Sequence, residues 1–245
     1  EGWHAVRELL LAGNRRTREV LLAGDLDQAP ILDDIIDLAD EARVPIRELS
    51  RSKFESLART EAPQGVVAMA APLRDHGLEV LLQRDSSGTV PFLLLLDGIT
   101  DPGNLGAILR AAEAAAVDGV IRQIRRAAPL GRVAKTSAGA LTHVRLASVV
   151  NIARAVTELK AAGIWTVGLE ADGDDLYDGL DLTLPTALVL GNEGRGLRRL
   201  VRERCDRVVS IPLLGRVNSL NVAVAAGVAL YEAVRQRRAL AHRAT

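Results

Sequence analysis

The chain of 245 residues holds one cysteine, Cys205, four histidines and only six aromatic side chains. A lone cysteine cannot close an intrachain disulfide or build a cysteine-based zinc cluster, a usage that fits a reducing cytoplasm, and its expected role is a buried structural thiol. The histidines, His4, His76, His143 and His242, are scattered and none adjoins a glycine-rich turn. Neither a Ser/His/Asp triad nor a metal site can be assembled from them, so no metal is expected. Six aromatics argue against reading single-stranded nucleic acid mainly by stacking. Net charge is lacking too, since Lys plus Arg and Asp plus Glu are 31 each. A nucleic-acid surface would therefore have to come from the placement of charge. No apolar run reaches the length of a membrane span: Phe92 to Leu96 ends in Asp97 and Gly98 and reads as a buried strand. The first residues interleave His4, Arg7 and Glu8 with Trp3, Val6, Leu9 and Leu10 at helical spacing, not in the basic-then-apolar order of a secretory signal, so a cytoplasmic protein is expected.

What is present is a regular alternation of short apolar runs and amphipathic stretches. The spacing predicts a helix over 2–13, a strand over 18–23, a helix over 28–42, a strand over 44–48, a helix over 50–59 capped by Ser50 or Ser52, and a strand over 65–71. This is a small α/β unit, taken as residues 1–75. The pattern weakens over 76–91, a linker in which Arg84-Asp85-Ser86-Ser87-Gly88-Thr89 is the most linker-like stretch and Leu78–Leu82 could form a short helix. Residues 92–245 then alternate: strand 92–97, helix 104–116, strand 119–124, helix 130–140, strand 144–149, helix 151–162, strands 164–169 and 187–191, helix 197–203, strand 207–211 and helix 219–238. Such alternation predicts a mostly parallel sheet covered by helices. The last helix sets Leu220, Val224, Val228 and Tyr231 along one side and carries Ala223, Ala225, Ala226 and Gly227, which suit close packing.

Three turns preceding helices could carry chemistry. The first runs from Asp97-Gly98 through Asp101-Pro102-Gly103-Asn104-Leu105-Gly106 to Arg110; its bland reading is a helix start capped by Asp101 or Asn104. On the helical period Asn104 and Arg110 are about 120° from eclipsed, so they need not share a face. The second is Gly191-Asn192-Glu193-Gly194-Arg195-Gly196. A dinucleotide fingerprint needs a third glycine that is missing here, and Glu193 stands where a pyrophosphate would be repelled. Its bland role is an acid near a helix start. The third is Asn218-Ser219-Leu220-Asn221 after Ile211-Pro212. Asn and Ser are ordinary caps, but a second amide within the first turn is a poor helix former and suggests binding. Strand-to-helix turns gather backbone N–H groups and helix starts around small ligands. Basic residues cluster at Arg122-Gln123-Ile124-Arg125-Arg126 with Arg132 and Lys135, at Arg198-Arg199 with Arg202 and Arg204, and at Arg235–Arg238. Such runs are usually solvated surface, but those flanking the turns could follow phosphates.

Taken in order, the Asp101–Arg110 segment, Leu190-Gly191-Asn192-Glu193-Gly194, and Ile211-Pro212 with Asn218-Ser219-Leu220-Asn221-Val222 resemble the three motifs of the SpoU (TrmH) family of RNA ribose 2′-O-methyltransferases. Gly2-Trp3-His4-Ala5-Val6 and the unit behind it, with Tyr231–Gln236 in the tail, look like the bacterial 23S rRNA branch. The resemblance implies an α/β class fold: a C-terminal α/β-knot (SPOUT) methyltransferase domain with a deep trefoil knot, behind a small N-terminal RNA substrate-binding domain similar to ribosomal protein L30e. It also implies a homodimer formed through the C-terminal domain. S-adenosyl-L-methionine would be held by Gly168, Leu169, Leu190, Gly191, Asn192, Gly194, Ile211, Leu213 and Leu220. Asn104, Arg110, Glu193, Ser219 and Asn221 would form the catalytic group. The RNA partner implied is 23S rRNA; a tRNA 2′-O-methyltransferase of the same family and a non-catalytic RNA-binding or ribosome-assembly protein are the alternatives. One departure is that Val120-Ile121 runs into Arg122-Gln123-Ile124-Arg125-Arg126, where the family's strand stays apolar. Either the strand is short or its exposed side meets RNA.

Overall fold

Five leucine-rich positions in a row can be apolar only where both faces of a strand are covered, and β4 (Phe92–Asp97) is buried at every residue. It lies third from one edge of a seven-stranded sheet whose order is β6-β5-β4-β9-β7-β10-β8. The other strands are β5 (Gly119–Gln123), β6 (Leu146–Val149), β7 (Trp165–Leu169), β8 (Asp175–Leu176), β9 (Thr186–Gly191) and β10 (Arg207–Ser210), and every pairing is parallel. The computed structural model describes residues 1–24, 26–60, 63–83 and 90–243. The Arg84–Thr89 stretch read as linker lies outside the described residues.

By its contacts the chain divides into two compact units: Glu1–Arg74 with Pro129–His143, and Asp75–Ala128 with Val144–Thr245. In the first, β1 (Thr17–Ala23) pairs in parallel with β2 (Ile46–Leu49) and antiparallel with β3 (Val66–Ala70). Helices α1 (Trp3–Ala12) and α2 (Pro30–Glu41) pack together, their Val6, Leu10, Leu32 and Ile35 sharing a core with Val20 and Val66. The other sheet face buries Phe54 of α3 (Arg51–Leu57) against Leu21, Leu49 and Val67. Ser50 precedes α3, but its side chain makes no capping bond. Helix α6 (Leu130–Thr136) and the 3-10 turn Ala140–Thr142 belong to this unit although the sequence pattern runs them with the second half. Arg132 and Lys135 of the expected basic cluster go with them.

In the second unit, α4 (Leu78–Leu82), α7 (Ile152–Ala161) and α8 (Arg199–Arg204) supply Leu81, Val156, Leu159 and Val201 to a core with Leu93, Leu95, Ile121 and Val189. Helices α5 (Pro102–Ala114) and α9 (Val222–Arg243) pack on each other. Two expected boundaries move. α5 begins at Pro102, because proline is pre-set for a first helical turn and Asp101 caps it, Oδ1 accepting from Asn104 N at 2.7 Å. α9 begins three residues later than its pattern predicts, so Ser219, Leu220 and Asn221 precede the helix. Strand β5 is short: it ends at Gln123, and Arg122 folds back to donate from Nη1 to Ala128 O at 2.9 Å. The two-residue β8 carries no periodicity long enough to read from sequence.

Arg237 clamps α9 to the amino edge of this sheet. Its guanidinium donates to the carbonyls of Val90 (2.9 Å), Pro91 (3.1 Å), Leu182 (3.0 Å) and Leu184 (3.0 Å), and it lies 4.5 Å from the centroid of the Phe92 ring. Burial lowers its pKa, with Asp118 acting in the opposite sense. Arg237→Met is expected to lower stability in urea unfolding by about 2–3 kcal/mol, and Lys to restore little, because an ammonium cannot reproduce the fork. A loss below about 0.5 kcal/mol would contradict the clamp.

Candidate active site

Three neighbouring strands of the second unit, β9, β7 and β10, end at one cavity of about 700 Å³. After β9 the chain doubles back at once. Asn192 N donates to Gly196 O at 3.0 Å and Gly196 N to Asn192 O at 2.9 Å, closing a five-residue turn. The turn is so tight that a Cβ on Gly191 would stand 2.1 Å from Gly196 C and 2.3 Å from Leu197 N. Gly196 adopts φ +65°, a left-handed value that side chains disfavour. Glu170, just past β7, holds the far side of this turn. Its Oε1 accepts from Leu197 N at 2.5 Å and its Oε2 from Arg202 Nε at 2.9 Å. That bond raises the pKa of Arg202.

The first loop is joined to the second from beneath. Asp97, its side chain fully buried, accepts from Arg198 N at 2.9 Å and from Arg198 Nε at 2.7 Å. Asn192 Nδ2 donates to Gly98 O at 2.7 Å. The third loop, leading from β10 to α9, is closed by Asn221. Its Oδ1 caps α9 by accepting from Ala223 N at 2.9 Å and Val224 N at 3.3 Å. Its Nδ2 donates to Asn104 Oδ1 and to Glu193 Oε1, each at 2.9 Å. One amide thus joins residues from all three loops, and its whole hydrogen-bonding capacity is used. This explains the second amide that looked out of place in a first helical turn: Asn221 is the cap.

Of the residues expected to hold a cofactor, Leu169, Leu190, Gly191, Asn192, Gly194, Ile211, Leu213 and Leu220 line the cavity. Gly168 does not. A Cβ there would meet Leu197 Cδ1 at 2.7 Å and Cys205 Sγ at 3.3 Å, so this glycine makes room for packing behind the strand. Burial, then Asp206, pushes the Cys205 thiol up to about 12, which leaves it unreactive near neutral pH. Of the expected catalytic residues, Glu193, Ser219 and Asn221 line the cavity and Asn104 is tied in through Asn221. Arg110 is exposed on α5, outside the wall, and its guanidinium makes no hydrogen bond or ion pair among the described residues. Sequence reasoning missed Glu170 and Asp172 in the wall and the Asp97–Arg198 pair behind it. The available signal for Asp97, Glu170 and Asp172 was their position at or just past strand ends; Arg198, which precedes α8, carried none.

Chemically, the wall offers apolar surface from Leu169, Leu190, Ile211, Leu213, Leu220 and Val222, and the carboxylates of Glu170, Asp172 and Glu193 against the single cation Arg195. Such a wall suits a flat apolar ring joined to a positive centre, and the volume is that of an ordinary small-molecule site. Among the described residues, no group of three or more His, Cys, Asp or Glu side chains could hold a metal ion, and no helix is long and apolar enough to cross a membrane.

Comparison with known proteins bears on this geometry. Residues 91–231 match the family model of the SpoU rRNA methylase family, and residues 1–76 match that for RNA 2′-O ribose methyltransferase substrate binding. The chain is 41% identical over 241 residues to the 23S rRNA (guanosine-2′-O-)-methyltransferase RlmB of Pseudomonas putida, covering 97% of this chain and 96% of that protein. It is 40% identical over 240 residues to a protein of Staphylococcus haemolyticus assigned to the TrmH family of tRNA/rRNA methyltransferases, covering 96% and 94%. Among solved structures, the SpoU methyltransferase AviRb of Streptomyces viridochromogenes, in complex with AdoMet, superposes with a TM-score of 0.80 at 31% identity, covering 97% of this chain and 89% of that one. With its parallel sheet, its three-loop cavity and these matches along nearly the whole length, the chain belongs to the SpoU family of RNA methyltransferases.

Proposed function

We infer that this protein transfers a methyl group from S-adenosylmethionine to a ribose 2′-hydroxyl of 23S rRNA. The observation that carries the reading is the junction of three separate loops at Asn221, beside a cavity walled by Leu169, Leu190, Gly191, Ile211, Leu213 and Leu220. Bound there, S-adenosylmethionine would supply an electrophilic methyl group. The apolar side chains would take the adenine and the turn backbone its polar edges, and the acidic wall suits a positively charged ligand. Asn104, Glu193, Ser219 and Asn221 would position the ribose, and positioning should supply much of the rate. Exposed Arg110 would grip the neighbouring phosphate and stabilise negative charge on the attacking oxygen. It would not be the base, since guanidinium keeps its proton at any physiological pH.

The finer features of the fold belong to the same reading. The late strands β9 and β10 each insert between strands laid down earlier, β4 and β7, and β7 and β8; this supports a trefoil knot in the C-terminal domain. The three-stranded first unit, with its match to a substrate-binding model, supports an L30e-like RNA-binding domain. Val224 and Tyr231 stand about half exposed on α9, opposite its buried Ala226, Ala229, Leu230 and Ala233, which supports a homodimer through that helix. The test is incubation with labelled S-adenosylmethionine and, separately, 23S rRNA, 16S rRNA and tRNA, followed by mapping of the modified ribose. Label confined to one 23S ribose is expected. Label in tRNA alone would move the protein to the tRNA enzymes of the family, and no label would leave the non-catalytic alternative.

A further inference from the structure

On the methyl-transfer reading above, we propose that Glu193 is the catalytic base, its Oε2 receiving the proton of the ribose 2′-hydroxyl. Arg110 cannot take that role, so the acceptor must be sought in the wall. The wall holds three carboxylates. Glu170 is committed on both oxygens, to Leu197 N and to Arg202. Asp172 is 83% exposed at the side chain, and its partner among the described residues is Arg202, at 3.9 Å. Glu193 differs from both. One oxygen, Oε1, accepts from Asn221 Nδ2 at 2.9 Å, and the other has no partner among the described residues. The anchoring amide is itself fully engaged, because Asn104, Ala223 and Val224 take up its remaining capacity. Glu193 is therefore a carboxylate fixed through one oxygen and open at the other, in the wall that Ser219 also lines.

The step balances without a further reagent. The hydroxyl oxygen bonds to the methyl carbon as the carbon–sulfur bond breaks, and that electron pair stays on sulfur, which becomes a neutral thioether. The hydroxyl proton passes to Glu193 Oε2 and from there to water after release of product. A carboxylate is a weak base towards a free hydroxyl. It suffices here because the proton becomes strongly acidic as the oxygen–carbon bond forms, so transfer late in the step needs no strong base.

The bland account is that Glu193 only holds Asn221 in place, and Glu193→Gln separates the two. The amide oxygen of glutamine still accepts from Asn221 Nδ2, so the junction survives, while the capacity to take a proton is lost. The other charged groups of the same wall are Arg195 on its own turn, and Glu170 and Asp172 past β7, which pair with Arg202 of α8; none is altered. Single-turnover methyl transfer by Glu193→Gln is expected to fall by about 100-fold or more. Its affinity for S-adenosylmethionine, measured by calorimetry, should stay within about threefold of wild type. Glu193→Asp, which keeps a carboxylate able to take the proton, should retain clearly more of the rate than Glu193→Gln. Retention of the rate by Glu193→Gln, or an equal loss in Glu193→Asp, would overturn the assignment. A variant that lost affinity for S-adenosylmethionine would show Glu193 to be architectural, which overturns it equally. Failure of the wild-type protein to bind S-adenosylmethionine is a different result and would remove the methyl-transfer reading itself.

Discussion

Gly191→Ala is expected to lose at least about 100-fold in affinity for S-adenosylmethionine when measured by calorimetry. The reason is space, not backbone conformation, for Gly191 is not among the positive-φ glycines. The added methyl would stand 2.1 Å from Gly196 C and 2.3 Å from Leu197 N. Both are main-chain atoms, so no rotamer change relieves the clash. Relief requires opening the Asn192–Gly196 turn, which breaks its two backbone hydrogen bonds and moves Leu197 N away from Glu170. Those movements displace Asn192, Glu193 and Gly194, which line the cavity. An affinity loss of at least 100-fold, about 2.7 kcal/mol, is expected. Gly194 provides the control within the same turn. It has φ +79°, yet nothing lies within 4 Å of a Cβ placed there, so Gly194→Ala should incur only a conformational cost of about 1–2 kcal/mol and keep the cavity. If Gly191→Ala bound within about tenfold of wild type, the turn would be more pliant than its packing shows.

How much of this site was legible in the sequence depends on whether a residue acts through its local turn or through a distant partner. The three loops were found because glycine, proline and asparagine at strand ends have local causes, and Phe92–Asp97 was placed to the residue because an all-apolar run has one reading in a parallel sheet. Asn221 was noticed as an amide in an unlikely place, but its role needs Asn104, 117 positions away, and Glu193, 28 positions away. Gly168 illustrates the opposite failure. It adjoins a wall residue in sequence, but alternation along β7 turns its missing side chain toward Leu197 and away from the cavity. The order of the strands was not readable either. Periodicity shows that strands exist, whereas the insertion of β9 between β4 and β7 is a property of tertiary pairing. The assignment of Pro129–His143 to the first unit is likewise set by contacts that no local pattern announces.

The Asp97–Arg198 pair, which no motif marks, carries the second large effect. Arg198→Ala is expected to lower the stability of the protein by about 2–4 kcal/mol in urea unfolding, and to slow methyl transfer as well. The carboxylate of Asp97 is fully buried, and Arg198 contacts it through Nε at 2.7 Å and Nη2 at 2.5 Å while its backbone N donates at 2.9 Å. Removing the guanidinium leaves a buried anion with one remaining donor, a change that ordinarily costs about 3–5 kcal/mol. The Arg198 side chain is 42% exposed, so water can enter where it stood, and the lower range allows for that. Removing both charges is a different matter. Asp97→Leu with Arg198→Met should recover much of the stability, because no charge is then left unpaired and similar volume is filled. Activity should not recover with it. Asp97 ends β4 immediately before the first loop, and Arg198 follows the second turn, so their bond sets the loop that leads into α5, whose first turn carries Asn104, against the turn that carries Glu193. An apolar pair restores packing but not the direction imposed on one carboxylate by two hydrogen bonds and an ion pair. Stability regained with methyl transfer still depressed is therefore the expected pattern, and full recovery of both would show that the pair only fills space.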